Sequence, residues 1–262
     1  MSVGDTTPSV YPAVMAVVIH WGSVDDTRNC VASLLEQDYR DLSVAILDNG
    51  TNTDWDSCLG ELMPRVEVIA LTENTGFTGG VNRAVAFIRD RSIRWGWILN
   101  NDTVFPQKNA LQVLVNFGAA HDACLFTPQL LNRSGSRLLP CSGGIFFPSL
   151  AYTFHNTGWF VAILKRMFRH HTFLSGTAWF VDCEQAPDPL LDEAYFAYFE
   201  DVDLALRLGA DRMAICEEAS IVHEVSGSTG GSLFKYYLKA RNLLYLARKH
   251  GLYNWRFRLG FL

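Results

Sequence analysis

Short apolar runs that alternate with stretches of helical spacing constrain this chain more than any other feature. Val14 to Ile19, Leu42 to Leu47, Val66 to Leu71 and Trp95 to Leu99 are bounded by turn-forming residues, so each reads as a buried strand. Asp26 resembles an N-cap, with Val31, Leu34 and Leu35 following at helical spacing; Thr78 to Arg89 and Lys108 to Ala120 read as further helices. Ala123 to Phe126 reads as a fifth strand. This alternation implies an α/β protein with a Rossmann-like, mostly parallel sheet, right-handed crossovers and helices on both faces. Beyond it, Arg133 to His171 is irregular and rich in Gly, Phe and Ser. Phe173 to Val181 reads as a strand, Asp201 to Leu208 as a helix, Met213 to Cys216 as a short strand and Phe234 to His250 as a long helix.

Of 262 residues, 49% are hydrophobic, enough for a sizeable core and too many for a disordered chain. The net charge of −5 lacks the basic excess of a nucleic-acid binder, so no nucleic acid is expected as a partner. The six cysteines form no C-x-x-C pair, and the first twelve residues carry no secretory signal. Reduced thiols in a cytoplasmic protein are therefore expected. No apolar run is long enough to span a bilayer.

Four polar clusters and a lone histidine follow the apolar runs. Asn100-Asn101-Asp102 puts a carboxylate at the carboxyl edge of the sheet, where open α/β folds bind ligands. Such a carboxylate can hold a divalent cation, and the cation a diphosphate; alone, the triplet reads equally as a turn. Asp48 can accept from a base N–H or a ribose hydroxyl, although Asn49-Gly50 is a turn signal in its own right. Asn74 to Gly80 is a Gly-rich loop opening a helix, whose backbone N–H groups suit a phosphate or ribose. It does not match G-x-G-x-x-G. Asn82 and Arg83 come early in that helix, in reach of a ligand. Glu200-Asp201-Val202-Asp203 follows the aromatic run Tyr195 to Phe199. Acids in a first helical turn are ordinary capping, but desolvation beside aromatics raises a carboxyl pKa, as a general base requires. His223 precedes the Gly/Ser stretch Ser226 to Gly231, which could close over a phosphate; a lone His is more often structural.

In this order the clusters resemble the inverting glycosyltransferases of family 2, which have the GT-A fold, and among them the bacterial rhamnosyltransferase-like members. The resemblance runs from about Val14 to Gly251. Val17 to Gly22 looks like the family's opening strand V-V-x-Y-N-G, Leu47 to Thr51 like V-D-N-G-S, and Asn74 to Asn82 like N-x-G-F-x-G-G-x-N. Leu99 to Thr103 stands where the metal-binding D-x-D lies, and Tyr198 to Arg207 resembles Y-F-E-D-V-D-L-x-L-R. The chain departs from the pattern at His20 and Trp21, which replace Tyr and Asn, and at Asn100, which replaces the first Asp of D-x-D.

The resemblance implies a metal-dependent enzyme moving a sugar, rhamnose among the candidates, from a nucleoside-diphosphate sugar to a hydroxyl of a glycan or lipid-linked acceptor. Asp201 would be the base, and Asp102 and His223 would hold Mg²⁺ or Mn²⁺. His20, Trp21, Asp48, Asn74, Gly76, Gly79, Asn82 and Asn101 would bind the donor. Ser175, Gly176 and Glu200 would border donor and acceptor. The expected division is a tail over 1–12, a catalytic domain over 13–232 (donor half 13–130, acceptor half 131–232) and a helical extension over 233–262. Trp159 to His171 and Phe234 to His250 are aromatic and basic, which is compatible with contact at the inner membrane face or with a homodimer. The rivals are a non-catalytic nucleotide-sugar-binding or scaffold protein of the same fold and a nucleotidyltransferase. The latter normally has a basic Gly-rich loop after the first strand, and His20 to Ser23 offers none.

Overall fold

A computed structural model describes residues 11–134, 137–155, 169–224 and 233–261. Strands β1 (Val14–His20), β2 (Leu42–Asp48), β3 (Val66–Ala70) and β4 (Trp95–Asn100) are parallel, in the spatial order β3-β2-β1-β4. All seven residues of β1 are buried, because both faces of the sheet are covered. Val14, Ala16 and Val18 pack with helix α1 (Val24–Leu34), while Met15, Val17 and Ile19 pack with α3 (Gly76–Asp90). A strand buried on both faces needs apolar side chains in both phases of its period-2 pleat, hence the unbroken apolar runs. A short helix, α2 (Trp55–Leu59), follows β2, and its Trp55 and Leu59 join the core on the α1 side of the sheet.

The other half of the sheet changes direction. Strand β11 (Ala178–Asp182) runs antiparallel to both β4 and β6 (Leu125–Ser134). Strand β12 (Met213–His223) runs parallel to β6, with α4 (Ala110–Ala120) packed over it. The short β5 (Thr103–Val104) pairs antiparallel with the end of β12, in a register that sets Thr103 opposite His223. That pairing brings Asp102 to the histidine. Strand β7 (Arg137–Pro140) hairpins onto β6. A second sheet, β10-β8-β9 (Thr172–Leu174, Gly143–Phe147, Tyr152–His155), carries α5 (Glu200–Leu208), α6 (Leu233–Lys249) and α7 (Trp255–Phe261) around Phe146, Phe173, Leu246 and Phe257. All six cysteines are free.

Four local expectations are corrected. The N-cap of α1 is Ser23, whose hydroxyl accepts from the Asp26 amide three residues on, so the helix starts earlier than Asp26 suggested. Phe173 to Val181 is two strands in two sheets, divided by the turn at Gly176-Thr177. The strand expected over Met213 to Cys216 continues to His223 through an irregularity between Cys216 and Ser220. The stretch called irregular contains β7, β8 and β9. Its glycines mislead because Gly143 and Gly144 lie where backbones approach too closely for side chains: a Cβ would collide with the Phe173 and Phe154 carbonyl oxygens respectively. Most of the aromatic and basic stretch from Trp159, through Phe168, lies outside the described residues, as does Ser226 to Gly231.

Candidate active site

The carboxyl ends of β1, β2 and β4 open into a cleft of about 440 Å³. Trp21, Asn49 and Asn74 line one side and Asn100, Asn101 and Asp102 the floor, with Tyr198 and Lys235 opposite. The Trp21 indole is 55% exposed, so a flat face is offered to whatever enters.

On the floor, His223 Nε2 lies 3.1 Å from Asp102 Oδ1. The approach is not aligned as a hydrogen bond, and among the described residues this buried carboxylate oxygen has no donor. His223 Nδ1 lies 2.9 Å from the Asn132 amide oxygen and donates to it. That tautomer leaves Nε2 unprotonated, with Asp102 Oδ1 3.1 Å away. Two electron-rich ligand atoms converging without a donor between them fit a cation bound there. Among the described residues no group of three His, Cys, Asp or Glu side chains converges on such a point, so further ligands have to come from the substrate or water.

The floor is fastened from beneath. Thr27 Oγ1 donates to the Ser23 carbonyl and receives the Asn101 amide at 3.0 Å. Its one proton being used, it accepts from His20 Nδ1 at 2.6 Å. Asn101 also donates to the Ser23 carbonyl. His20 is 0% exposed, packed edge-on to Trp55, and does not line the cleft. Burial pushes its imidazole below the ordinary range, against the pull of Asp48. The expected donor contact from His20 is therefore replaced by a tie between β1, α1 and the Asn101 loop.

Asp48 is likewise absorbed by the chain. It accepts from the Thr51 amide and hydroxyl, the Thr53 amide and the Trp55 indole. Burial alone would raise its pKa, but these donors hold it below the usual range. Its neighbour Asn49, not singled out from the sequence, reaches the cleft. Asn49 Oδ1 accepts from the Thr75 amide and hydroxyl and its Nδ2 donates to the Gly76 carbonyl, clamping the start of α3. Asn74 and Gly76 line the cleft, with Asn74 Oδ1 accepting the Gly76 amide at 2.8 Å. Gly76 has φ +72°, and a Cβ there would collide with Phe196. Gly79 and Asn82 stand away from the cleft. A Cβ on Gly79 would lie 2.6 Å from the Thr75 side chain, and Asn82 bonds Leu191 and Glu193. Ser175 and Gly176 line neither cleft; Gly176 packs against Phe77, and the Thr177 carbonyl accepts the Asn100 amide.

The segment from Tyr195 to Phe199 forms the far wall, and three of its non-Gly residues take positive φ: Phe196 (+63°), Tyr198 (+72°) and Phe199 (+68°). Such conformations persist only where the surroundings enforce them. The enforcement comes from α6. The Asn242 amide, 0% exposed, donates toward the carbonyls of Tyr195, Ala197 and Tyr198 at 2.7–2.8 Å. Arg241 holds the Ala194 and Tyr195 carbonyls.

This wall delivers α5, whose carboxylates have different fates. Asp203 is fully buried and bonded by Tyr195, Arg207, Lys249 and His250. Burial would raise its pKa, but Lys249, His250 and Arg207 hold it below the usual range. Burial pushes Asp201 and Glu200 up instead, with the charge of Asp201 adding to the rise at Glu200. Glu200 Oε2 is buried without a partner among the described residues. Asp201 opens into a second cleft, of about 640 Å³, with Tyr152, His155, Phe173, Tyr198 and Lys239 among its walls. Tyr198 lines both clefts.

A parallel half joined to an antiparallel half, with the site at the carboxyl edge, is the GT-A architecture. Residues 16–184 match the sequence profile of glycosyl transferase family 2, and the chain belongs to that family. It is a glycosyltransferase. It is 25% identical to the N-acetylglucosaminyl-diphospho-decaprenol L-rhamnosyltransferase of Mycobacterium tuberculosis (strain ATCC 25618 / H37Rv), over 76% of this chain and 72% of that protein. Its fold is similar to that of the mannosyltransferase PcManGT from Pyrobaculum calidifontis, solved with GDP-Man and Mn²⁺ (TM-score 0.62, 16% identity, 92% of this chain and 65% of that one). It is also similar to S. aureus TarS 1–349 with UDP (TM-score 0.59, 14% identity, 89% and 65%). The chain thus spans about two thirds of the length of both structures.

Proposed function

We propose that this glycosyltransferase moves a sugar from a nucleoside-diphosphate sugar in the first cleft to an acceptor hydroxyl presented from the second, with inversion. The observation that carries the reading is the placement of Asp201. Its carboxylate has a raised pKa and opens into the second cleft, which shares Tyr198 with the first. Asp201 takes the proton of the acceptor hydroxyl as that oxygen bonds to the anomeric carbon. The bond from that carbon to the diphosphate breaks and its electron pair leaves with the nucleoside diphosphate. A single displacement inverts the centre.

Asp102 and His223 are the residues that would hold the cation, and a mixed oxygen–nitrogen set favours Mn²⁺ over Mg²⁺. The chemistry the ion would supply there is an offset to the charge on the departing diphosphate. Trp21 offers a stacking face to the base, and Asn74, Gly76 and Asn101 line the cleft where the phosphates would lie. The mycobacterial relative is named for a rhamnosyl transfer to a lipid-linked amino sugar. We extend that to this chain as the first donor and acceptor class to try.

The test is transfer from a panel of nucleotide sugars with Mn²⁺. Free nucleoside diphosphate is the expected product; pyrophosphate would indicate nucleotidyl transfer instead. Asp201→Asn is expected to lower turnover by about 10²-fold or more with donor affinity retained, the usual scale for a lost general base. Normal turnover by Asp201→Asn, with Asp203→Asn folded but dead, would move the base to Asp203.

A further inference from the structure

Asn132 joins the floor of the first cleft to a hairpin that otherwise only extends the sheet. The parallel register of β6 and β12 sets Asn132 beside His223, and neighbours in a sheet present their side chains to the same face. On the other side of β12, β5 sets Thr103 against the same histidine, so Asp102 arrives from the opposite neighbour. The β6–β7 hairpin turns back along β6, and just beyond β7 the Cys141 amide donates to the Leu130 carbonyl at 2.8 Å. The Cys141 thiol then lies 2.9 Å from Asn132 Oδ1, the oxygen that also lies 2.9 Å from His223 Nδ1. Asn132 and Cys141 are both half-buried.

These three side chains set each other's protons in one order. Burial pushes the Cys141 thiol up to about 11, so it keeps its proton at neutral pH and donates it. An amide oxygen accepts that proton, whereas the amide N–H₂ turned toward the thiol would meet only a weak sulfur acceptor. Asn132 is thereby held with its oxygen toward both neighbours, and the Nδ1 beside that oxygen has to carry a hydrogen. A neutral imidazole has a single N–H, so Nε2, on the Asp102 side, is left bare. The opposing influence is Asp102 itself. A carboxylate beside Nε2 draws the proton to that nitrogen, where it competes with a cation. Asn132 decides between the two arrangements.

We propose that Asn132 is a positioning residue for the cation: it holds His223 in the tautomer whose Nε2 can ligate, and the Cys141 thiol keeps the Asn132 amide turned the required way. The proposal rests on reading Asp102 and His223 as the cation site. It gives the β6–β7 hairpin a part in donor binding although none of the hairpin lines the first cleft.

The experiment titrates Mn²⁺ alone into the whole chain and reads binding from the relaxation of water protons. Asp102→Asn marks the share of that binding that belongs to this site. Asn132→Leu is expected to weaken the share about tenfold or more, the usual cost of removing the partner of a ligating histidine. Asn132→Asp still offers an oxygen to Nδ1 and is expected to retain it. A residue that only tied the hairpin to the sheet would leave Mn²⁺ affinity unmoved in both variants. Imidazole nitrogen NMR gives a readout that needs neither metal nor activity. Without metal, at a pH where the ring is neutral, wild-type His223 is expected to carry its proton on Nδ1, and His223 in Asn132→Leu to carry it on Nε2. Wild-type Mn²⁺ affinity in a folded Asn132→Leu variant overturns the proposal. So does a wild-type His223 protonated on Nε2, a result that does not depend on any variant folding. Mn²⁺ binding unchanged in Asp102→Asn would overturn the cation site and the proposal with it, whereas loss in Asp102→Asn without loss in Asn132→Leu would overturn the proposal alone.

Discussion

Asp201 and Asp203 lie two residues apart on one helix, yet their surroundings push their pKa values in opposite directions. Asp203 is surrounded by side-chain donors, whereas Asp201 accepts from local backbone amides such as that of Val202, so only Asp201 is left to accept a proton from a substrate. Activity should therefore fall as pH drops through a midpoint above the ordinary Asp value of about 4, with a slope near one in log kcat/KM. A profile flat to about pH 4 would exclude Asp201 as the base. Stability runs the other way for the raised groups. Glu200 has a folded-state pKa above its unfolded one, so its contribution is most favourable at low pH and is lost as pH rises through the folded value. Glu200→Gln should then stabilise the fold by about 1 kcal/mol at pH 8 and by nothing at about pH 4, read by urea denaturation. Asp203 has the opposite sign. Its stabilisation is present above the unfolded pKa and lost as pH falls through the lowered folded value.

At the scale of elements, α6 fixes the wall that leads into the proposed base, because Asn242 holds the backbone of Tyr195, Ala197 and Tyr198 just ahead of Asp201. Asn242→Leu leaves buried carbonyls without a donor and should cost about 2–3 kcal/mol of stability. It should lower kcat more than donor affinity, since the wall moves and the floor does not. Equal loss of both, or neither, would show that the clamp has no catalytic consequence. This role was not legible in the sequence. Asn242 sits in an amphipathic helix whose long-range partners depend on tertiary folding. The parallel half was legible because burial on both faces writes unbroken apolar runs. The second sheet was not, because Gly143 and Gly144 answer to close backbone approach and look like a loop. Among site residues, Trp21, Asn74, Gly76, Asn101 and Asp102 do line the first cleft, and Asp201 the second. His20, Asp48 and Asn82 stand at motif positions, but their hydrogen bonds are taken up by the chain itself. Spacing reveals where a residue lies and not which partner claims it.

Across the whole molecule, charge is unevenly divided. From residue 225 onward there are seven Lys and Arg and no Asp or Glu, although the chain as a whole is acidic. Exposed aromatic and aliphatic side chains, Tyr236, Tyr237, Trp255 and Leu259 among them, fall in the same region. Among the described residues no helix is long and apolar enough to cross a membrane. Basic residues interleaved with exposed rings suit an anionic lipid surface. Vesicles with acidic lipid should carry the protein upward in a flotation gradient at low salt and release it at high salt. Absence from the floated fraction at low salt would rule out that contact.

The donor site is the part of the account on which the rest depends, and calorimetric titration with UDP, GDP and dTDP tests it most directly. At least one of the three should bind in Mn²⁺. Its affinity should fall about tenfold or more both in EDTA and in Asp102→Asn, the loss expected when a metal ligand is removed, while Asp201→Asn keeps it. Equal affinity with and without Mn²⁺, or an Asp102→Asn variant that binds like the wild type, would contradict the assignment of Asp102 and His223.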